Sequence, residues 1–213
     1  MSEVAVRERI LETGVIAIIR GVEKESIGNV VDAIAAGGVE VIEITVDTPG
    51  AVEMIRQVSS EVGEDVLLGA GTVLDPETAR AVQLAGADFI VTPTVDTEVI
   101  KVCNRYGMPA IVGVMTPTEA LNATEAGADM CKLFPASTVG PDHVSAINGP
   151  LPQIPLVPTG GVSLDNAPDF FEAGAVALGV GSSLVDTRAI EAGDYQTVTE
   201  TASEFISLAE EHR

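Results

Sequence analysis

The chain has 213 residues, 46% of them hydrophobic, and carries 32 Asp plus Glu against 11 Lys plus Arg, for a formal net charge of −21. That length predicts a single domain spanning residues 1–213, and the apolar content excludes a disordered polyanion. An acidic surface repels nucleic acid and anionic membranes, no apolar run approaches the roughly 20 residues that cross a bilayer, and the start MSEVAVRERI lacks the apolar stretch of a secretion signal.

A cytoplasmic, soluble protein with neither nucleic acid nor membrane as partner is therefore expected. Cysteine occurs only at positions 103 and 131, with no CxxC pair and no His cluster, so two buried, reduced thiols are expected and neither a disulfide framework nor a zinc site. Lysine stands only at positions 24, 101 and 132, and acid is spread along the whole chain. That habit resembles proteins of a high-salt cytoplasm.

An opening helix over about residues 3–12 is placed to close one end of the fold. Eight β-branched runs follow: Val15–Ile19, Val39–Thr45, Val66–Ala70, Asp88–Thr92, Ala110–Gly113, Met130–Phe134, Pro155–Pro158 and Val176–Val180. Amphipathic stretches separate them, which is the pattern of parallel strands joined by helices. The segments AAGGVEVIEIT, LAGADFIVTP, EAGADMCKLFP and EAGAVALGVG each put a helix-ending glycine just before a strand. Four such pairs of βα units predict a (β/α)8 TIM barrel with an extra N-terminal helix. Strand count alone does not prove closure, so an open doubly wound sheet is the alternative.

In a barrel, inward and outward positions alternate, and reactive groups gather at the C-terminal strand ends. Val39, Val41, Glu43 and Thr45 then share the inward face of the second strand, with Ile42 and Ile44 facing the helices. On the sixth strand Met130, Lys132 and Phe134 share a face. An ionisable residue in such apolar runs needs a partner or a task. Two readings stay open: a buried Lys132–Glu43 ion pair that only holds the barrel, or a lysine made nucleophilic by desolvation beside a proton-moving glutamate.

At the ends of the last two strands, PTGGV and GVGSSL bring Thr159, Gly160, Gly161, Gly181 and Ser182 to the usual barrel phosphate site, where backbone amides cradle an anion. GAGTV, containing Thr72, ends the third strand with residues small enough for a close approach to the backbone. His143 has no ligand-spaced partner and reads as a surface helix residue. Asp75-Pro76-Glu77-Thr78 and Thr116-Pro117-Thr118-Glu119 read as helix starts.

Taken in order, IEIT, GAGTV, TPT, GVMTPTEA, KLFPA, VGP and PTGGV resemble the 2-keto-3-deoxy-6-phosphogluconate (KDPG) aldolase family, with its 4-hydroxy-2-oxoglutarate and 6-phosphogalactonate variants. The resemblance covers nearly the whole chain. It implies a homotrimeric, metal-independent class I aldolase that releases pyruvate and a phosphorylated three-carbon aldehyde such as glyceraldehyde 3-phosphate. It also implies Lys132 as the Schiff-base residue, Glu43 as general acid/base, and Thr72, Pro93 and Phe134 as the lining of the pyruvate pocket. The phosphate loops implied coincide with Thr159–Gly161 and Gly181–Ser182.

One position departs from the pattern. Many relatives have an arginine four residues after the glutamate to bind substrate carboxylate, and this chain has Asp47 there. Other relatives carry an arginine at the end of the first strand, which AIIRG supplies as Arg20, a candidate anchor for carboxylate or phosphate. A phosphosugar isomerase or epimerase on the same barrel, and a non-catalytic phosphosugar-binding protein, remain the rival readings.

Overall fold

The computed structural model describes residues 1–63 and 65–213. Its strands are β1 (Val15–Ile19), β2 (Val41–Thr45), β3 (Leu67–Gly71), β4 (Phe89–Thr92), β5 (Ala110–Val114), β6 (Met130–Leu133), β7 (Leu156–Pro158) and β8 (Leu178–Val180). Each lies within two residues of its expected position. All pairings are parallel, and the strands follow one another in chain order from β1 to β7, with β8 beside β1. Closure comes from a parallel bridge between Thr159 and Gly179 and from the Val176 N–H, which donates to the Leu156 carbonyl at 3.0 Å. A doubly wound sheet would reverse its order at a switch point and leave two edges. The chain does neither, so it is a (β/α)8 barrel and the open-sheet alternative falls.

The repeated glycines explain the abrupt turns into the strands. Gly38, Gly86, Gly127 and Gly174 all have φ between 92° and 106°, the left-handed conformation that ends a helix without a Cβ clash. In the two AGAD repeats the following aspartate then ties neighbouring strands. Asp88 Oδ2 accepts from the Leu68 N–H at 3.0 Å, and Asp129 Oδ2 from the Ala110 N–H at 2.8 Å.

Two apolar layers divide the interior. One lies between strands and helices and includes Ile42, Ile44, Ala70, Cys131 and Leu133. The other fills the barrel floor with Ile16, Val41, Leu67, Phe89, Ile111, Met130 and Val157, capped by Val6 and Ile10 of helix α1 (Glu3–Thr13). The opening helix is thus the bottom plug that the sequence suggested. Gly69 leaves the space that the Phe89 ring occupies across this floor.

Val39 is a correction. It packs in the outer layer, because its N–H donates to the Ile34 carbonyl at 3.3 Å and finishes the end of helix α2 (Ile27–Ala36) before strand alternation begins. The proposed helix starts are confirmed. Asp75 caps α3 (Pro76–Ala85), and Thr116 with Glu119 forms a capping box on α4 (Pro117–Glu125). Amide donors, the Thr78 N–H first for Asp75 and the Met115 N–H first for Glu119, hold both carboxyls below their ordinary range. Among the described residues, no helix is long and apolar enough to cross a membrane.

Candidate active site

Glu43 and Lys132 each stand one inward step above the floor, since Val41 and Met130 precede them by two residues in their strands. Both are buried, at 1% and 5% exposure. Lys132 is the sole buried lysine: Lys24 and Lys101 are exposed, and Lys101 pairs with Glu98 at 2.6 Å. No distance from Lys132 Nζ to a Glu43 carboxyl oxygen falls within 4.0 Å, so the direct ion pair is not formed. Glu43 Oε1 is buried with no hydrogen-bond partner among the described residues. An unpaired polar atom at such depth is costly in a resting protein, and it fits a site built to receive something.

The electrostatics follow from depth. Burial raises the Glu43 carboxyl above its ordinary value, against the opposing pull of Lys132 and Arg20. Burial also lowers the Lys132 ammonium, assisted by the Arg20 charge and opposed by Glu43. Both shifts favour the neutral forms: an amine with a free lone pair and a carboxyl able to donate. Cys103 and Cys131 are free and buried, and burial pushes them up to about 12 and about 11, which keeps the thiols protonated.

Glycines make the room around the pair. A Cβ on Gly71 would stand 2.5 Å from Glu43 Oε1, so the close approach that GAGTV implied is that of the glutamate itself. Gly113, in register with Lys132, leaves space for the Pro93 carbonyl, which carries the loop after β4 over the mouth beside the lysine. Phe134 lies beyond the end of β6 at 38% exposure, with its ring centroid 5.0 Å from Lys132 Nζ.

Arg20 follows β1 and is exposed. Its Nη1 donates to Asp47 Oδ2 at 2.8 Å and its Nη2 to Thr72 Oγ1 at 3.0 Å. Thr72 has φ 60°, an unusual conformation for a β-branched residue, at the turn just after β3. Arg20, Asp47 and Thr72 each stood out in the sequence, but as separate residues. The available signal was a pair of opposite charges just beyond the ends of adjacent strands.

Around the mouth from these residues lie the two glycine loops. Gly160 and Gly161 have φ of 87° and 81°. Among the described residues, the N–H groups of Gly160, Gly161, Gly181 and Ser182 have no protein acceptor. Thr159 differs from the other four. Its side chain turns into the barrel against Gly179, its hydroxyl donates to the Val157 carbonyl at 3.2 Å, and its N–H donates to the Leu133 carbonyl at 2.9 Å. Its donors are therefore committed within the protein. His143 sits on α5 (Gly140–Asn148), half-buried rather than on the open surface, with Nε2 2.7 Å from the Met115 carbonyl. No group of three potential metal ligands occurs among the described residues.

A parallel barrel that buries a neutral-leaning lysine and glutamate near its mouth suits chemistry on small carbonyl compounds, and comparison with known proteins gives the family. Residues 6–201 match the sequence pattern of the KDPG and KHG aldolases. The chain is 36% identical to the 2-dehydro-3-deoxy-6-phosphogalactonate aldolase of Escherichia coli (strain K12), over 93% of this chain and 94% of that one. It is 37% identical to the KHG/KDPG aldolase of the same strain, over 95% of each. The KDPG aldolase of Legionella pneumophila, whose structure holds pyruvate captured at low pH as a covalent carbinolamine intermediate, superposes with a TM-score of 0.87 at 30% identity, over 92% of this chain and 96% of that one. The chain belongs to the KDPG and KHG aldolase family, and is a lyase.

Proposed function

We propose that this aldolase cleaves 2-keto-3-deoxy-6-phosphogluconate to pyruvate and glyceraldehyde 3-phosphate through a Schiff base on Lys132. The observation that carries this reading is the buried Lys132 and Glu43, both shifted toward neutrality and not ion-paired, with Glu43 Oε1 left without a hydrogen-bond partner among the described residues.

In this reading, the Lys132 amine attacks the 2-keto carbon, and loss of water from the carbinolamine gives an iminium that withdraws electrons from C3. Neutral Glu43 gives its proton to the departing water in that dehydration, and the carboxylate so formed accepts the C4 hydroxyl proton as the C3–C4 bond breaks, the bonding pair remaining as an enamine while the aldehyde leaves. Glu43 then returns a proton to C3, and water releases pyruvate from Lys132. Thr72, Pro93 and Phe134 enclose the pyruvate half, and Arg20 holds its carboxylate. The free N–H groups of Gly160, Gly161, Gly181 and Ser182 receive the phosphate, with Thr159 shaping that loop from inside the barrel. Holding both ends fixes the bond that lies over the iminium.

A second reading, cleavage of the 6-phosphogalactonate epimer, is favoured by the 36% identity to an aldolase of that name. Assay of both C4 epimers separates the two. We also propose that the chain is one domain, assembles as a cytoplasmic homotrimer, and uses its net charge of −21 in a salty milieu. Sedimentation checks the trimer, and a melting temperature that rises with potassium chloride checks the salt adaptation.

Incubation with pyruvate and borohydride, followed by peptide mass mapping, tests the mechanism. A stable adduct on Lys132 is expected. No adduct on the folded protein, or one on Lys24 or Lys101, overturns it and moves a barrel isomerase or a phosphosugar-binding protein ahead.

A further inference from the structure

Three consecutive strand ends carry a small polar network: Arg20 after β1, Asp47 after β2 and Thr72 after β3. The Arg20 guanidinium spans the other two, at 2.8 Å to Asp47 Oδ2 and 3.0 Å to Thr72 Oγ1. The loops beneath are tied together. The Gly21 N–H donates to Thr48 Oγ1 at 3.0 Å, Thr48 Oγ1 lies 3.2 Å from Thr45 Oγ1, and the Val46 N–H donates to the Gly71 carbonyl at 2.9 Å.

The Arg20 and Asp47 side chains are 57% and 45% exposed. An ion pair that open adds little to folding stability, so a purely structural role explains it poorly. A lone aspartate beside a pocket for an anionic substrate is moreover a liability through charge repulsion. Its presence makes sense if it holds a cation in place.

We propose that Asp47 is a positioning residue, fixing the Arg20 guanidinium over the mouth so that its remaining N–H groups grip the substrate carboxylate. This inference rests on the aldolase reading above. A guanidinium has five N–H donors in one plane; Asp47 and Thr72 each take one, and the other three stay free for a planar carboxylate. The lean of the side chain selects the anion. Arg20 reaches toward β2 and β3, away from the β7 and β8 loops whose free amides suit a phosphate.

The test measures the pyruvate concentration that half-saturates borohydride trapping at Lys132, for the wild type, Asp47→Ala, Arg20→Ala and the double variant. Asp47→Ala should raise that concentration about five-fold, the scale of one exposed ion pair, while the maximal trapping rate stays within about two-fold. In the Arg20→Ala background the same change should leave it unaltered or lower it, because only a repelling carboxylate remains to be removed. Asp47→Asn, which keeps the shape but loses the charge, should fall between the wild type and Asp47→Ala, and it carries the test if Asp47→Ala fails to fold.

An equal rise in both backgrounds, or a change under about two-fold in the wild-type background, overturns the proposal while leaving the aldolase reading intact. A wild type that forms no adduct on Lys132 overturns the aldolase reading, and this inference with it.

Discussion

Gly71, in register with Thr45, lies diagonally across from Glu43 on the neighbouring strand, so close that a Cβ on the glycine would stand 2.5 Å from the glutamate Oε1. The missing side chain is what lets a carboxyl stand inward at this level of the barrel. Gly71→Ala should therefore push the carboxyl out of line. A cost of about 1–3 kcal/mol in stability is expected from the overpacking. Cleavage should fall further than pyruvate trapping, since the lysine is not displaced. Denaturant unfolding and steady-state rates on the same preparation check both.

Lys132→Met replaces a buried, unpaired amine with an apolar side chain of similar length. Activity and the pyruvate adduct should be lost, with kcat down by about a thousandfold or more. Stability at neutral pH should nonetheless rise by about 1 kcal/mol or more, because desolvation of the ammonium is relieved. The sign of the pH dependence follows from the lowered pKa of Lys132. Between its folded value and its ordinary value near 10.5, the unfolded chain binds more protons, so wild-type stability climbs with pH through that window. The advantage of Lys132→Met is then full below the folded pKa and fades as pH rises through the window. Urea unfolding at a series of pH values reads it directly.

The barrel was legible in the sequence because its signals are local: β-branched runs, helix-ending glycines and strict alternation in VIEIT and MCKL. Lys132 and Glu43 stood out for the same reason, each an ionisable residue on an apolar face. What stayed hidden depends on neighbours distant in the chain. Nothing local shows that Gly71 makes room for Glu43, that Thr159 turns inward against Gly179, or that Asp47 meets Arg20. Val39 was misplaced where the alternation was extended back into a helix end, whose hydrogen bond to Ile34 takes precedence.

Glu43→Gln keeps the shape and removes the titrating proton. Schiff-base trapping at Lys132 should survive, whereas cleavage should fall by about 10²- to 10⁴-fold, the range for loss of a general acid/base. Because burial raises the Glu43 pKa, the native state binds the extra proton between the ordinary value of 4.5 and the folded one, and wild-type stability declines as pH rises through that interval. The amide has no such penalty. Its stability advantage should appear above the folded pKa and vanish as pH falls toward 4.5. Paired trapping and cleavage assays, with melts across acidic pH, check the two halves.

Gly181 separates phosphate binding from folding more cleanly than the other glycines. Gly160 and Gly161 have positive φ, and a Cβ on either crowds Phe134 or Ser137, so alanine there strains the backbone as well as the site. At Gly181 a Cβ would meet nothing nearer than Ile18 Cβ, at 4.0 Å, an ordinary contact. Gly181→Ala should thus melt within a degree or two of the wild type. The added methyl stands on a loop whose N–H groups have no acceptor among the described residues, and it crowds an anion bound there. The expected result is a KM for the phosphorylated substrate raised about tenfold, the loss of one good charge-assisted hydrogen bond, with half-saturation by pyruvate unchanged. Pyruvate has no phosphate, so a parallel loss for both ligands would place the damage at Lys132 instead of the phosphate loop.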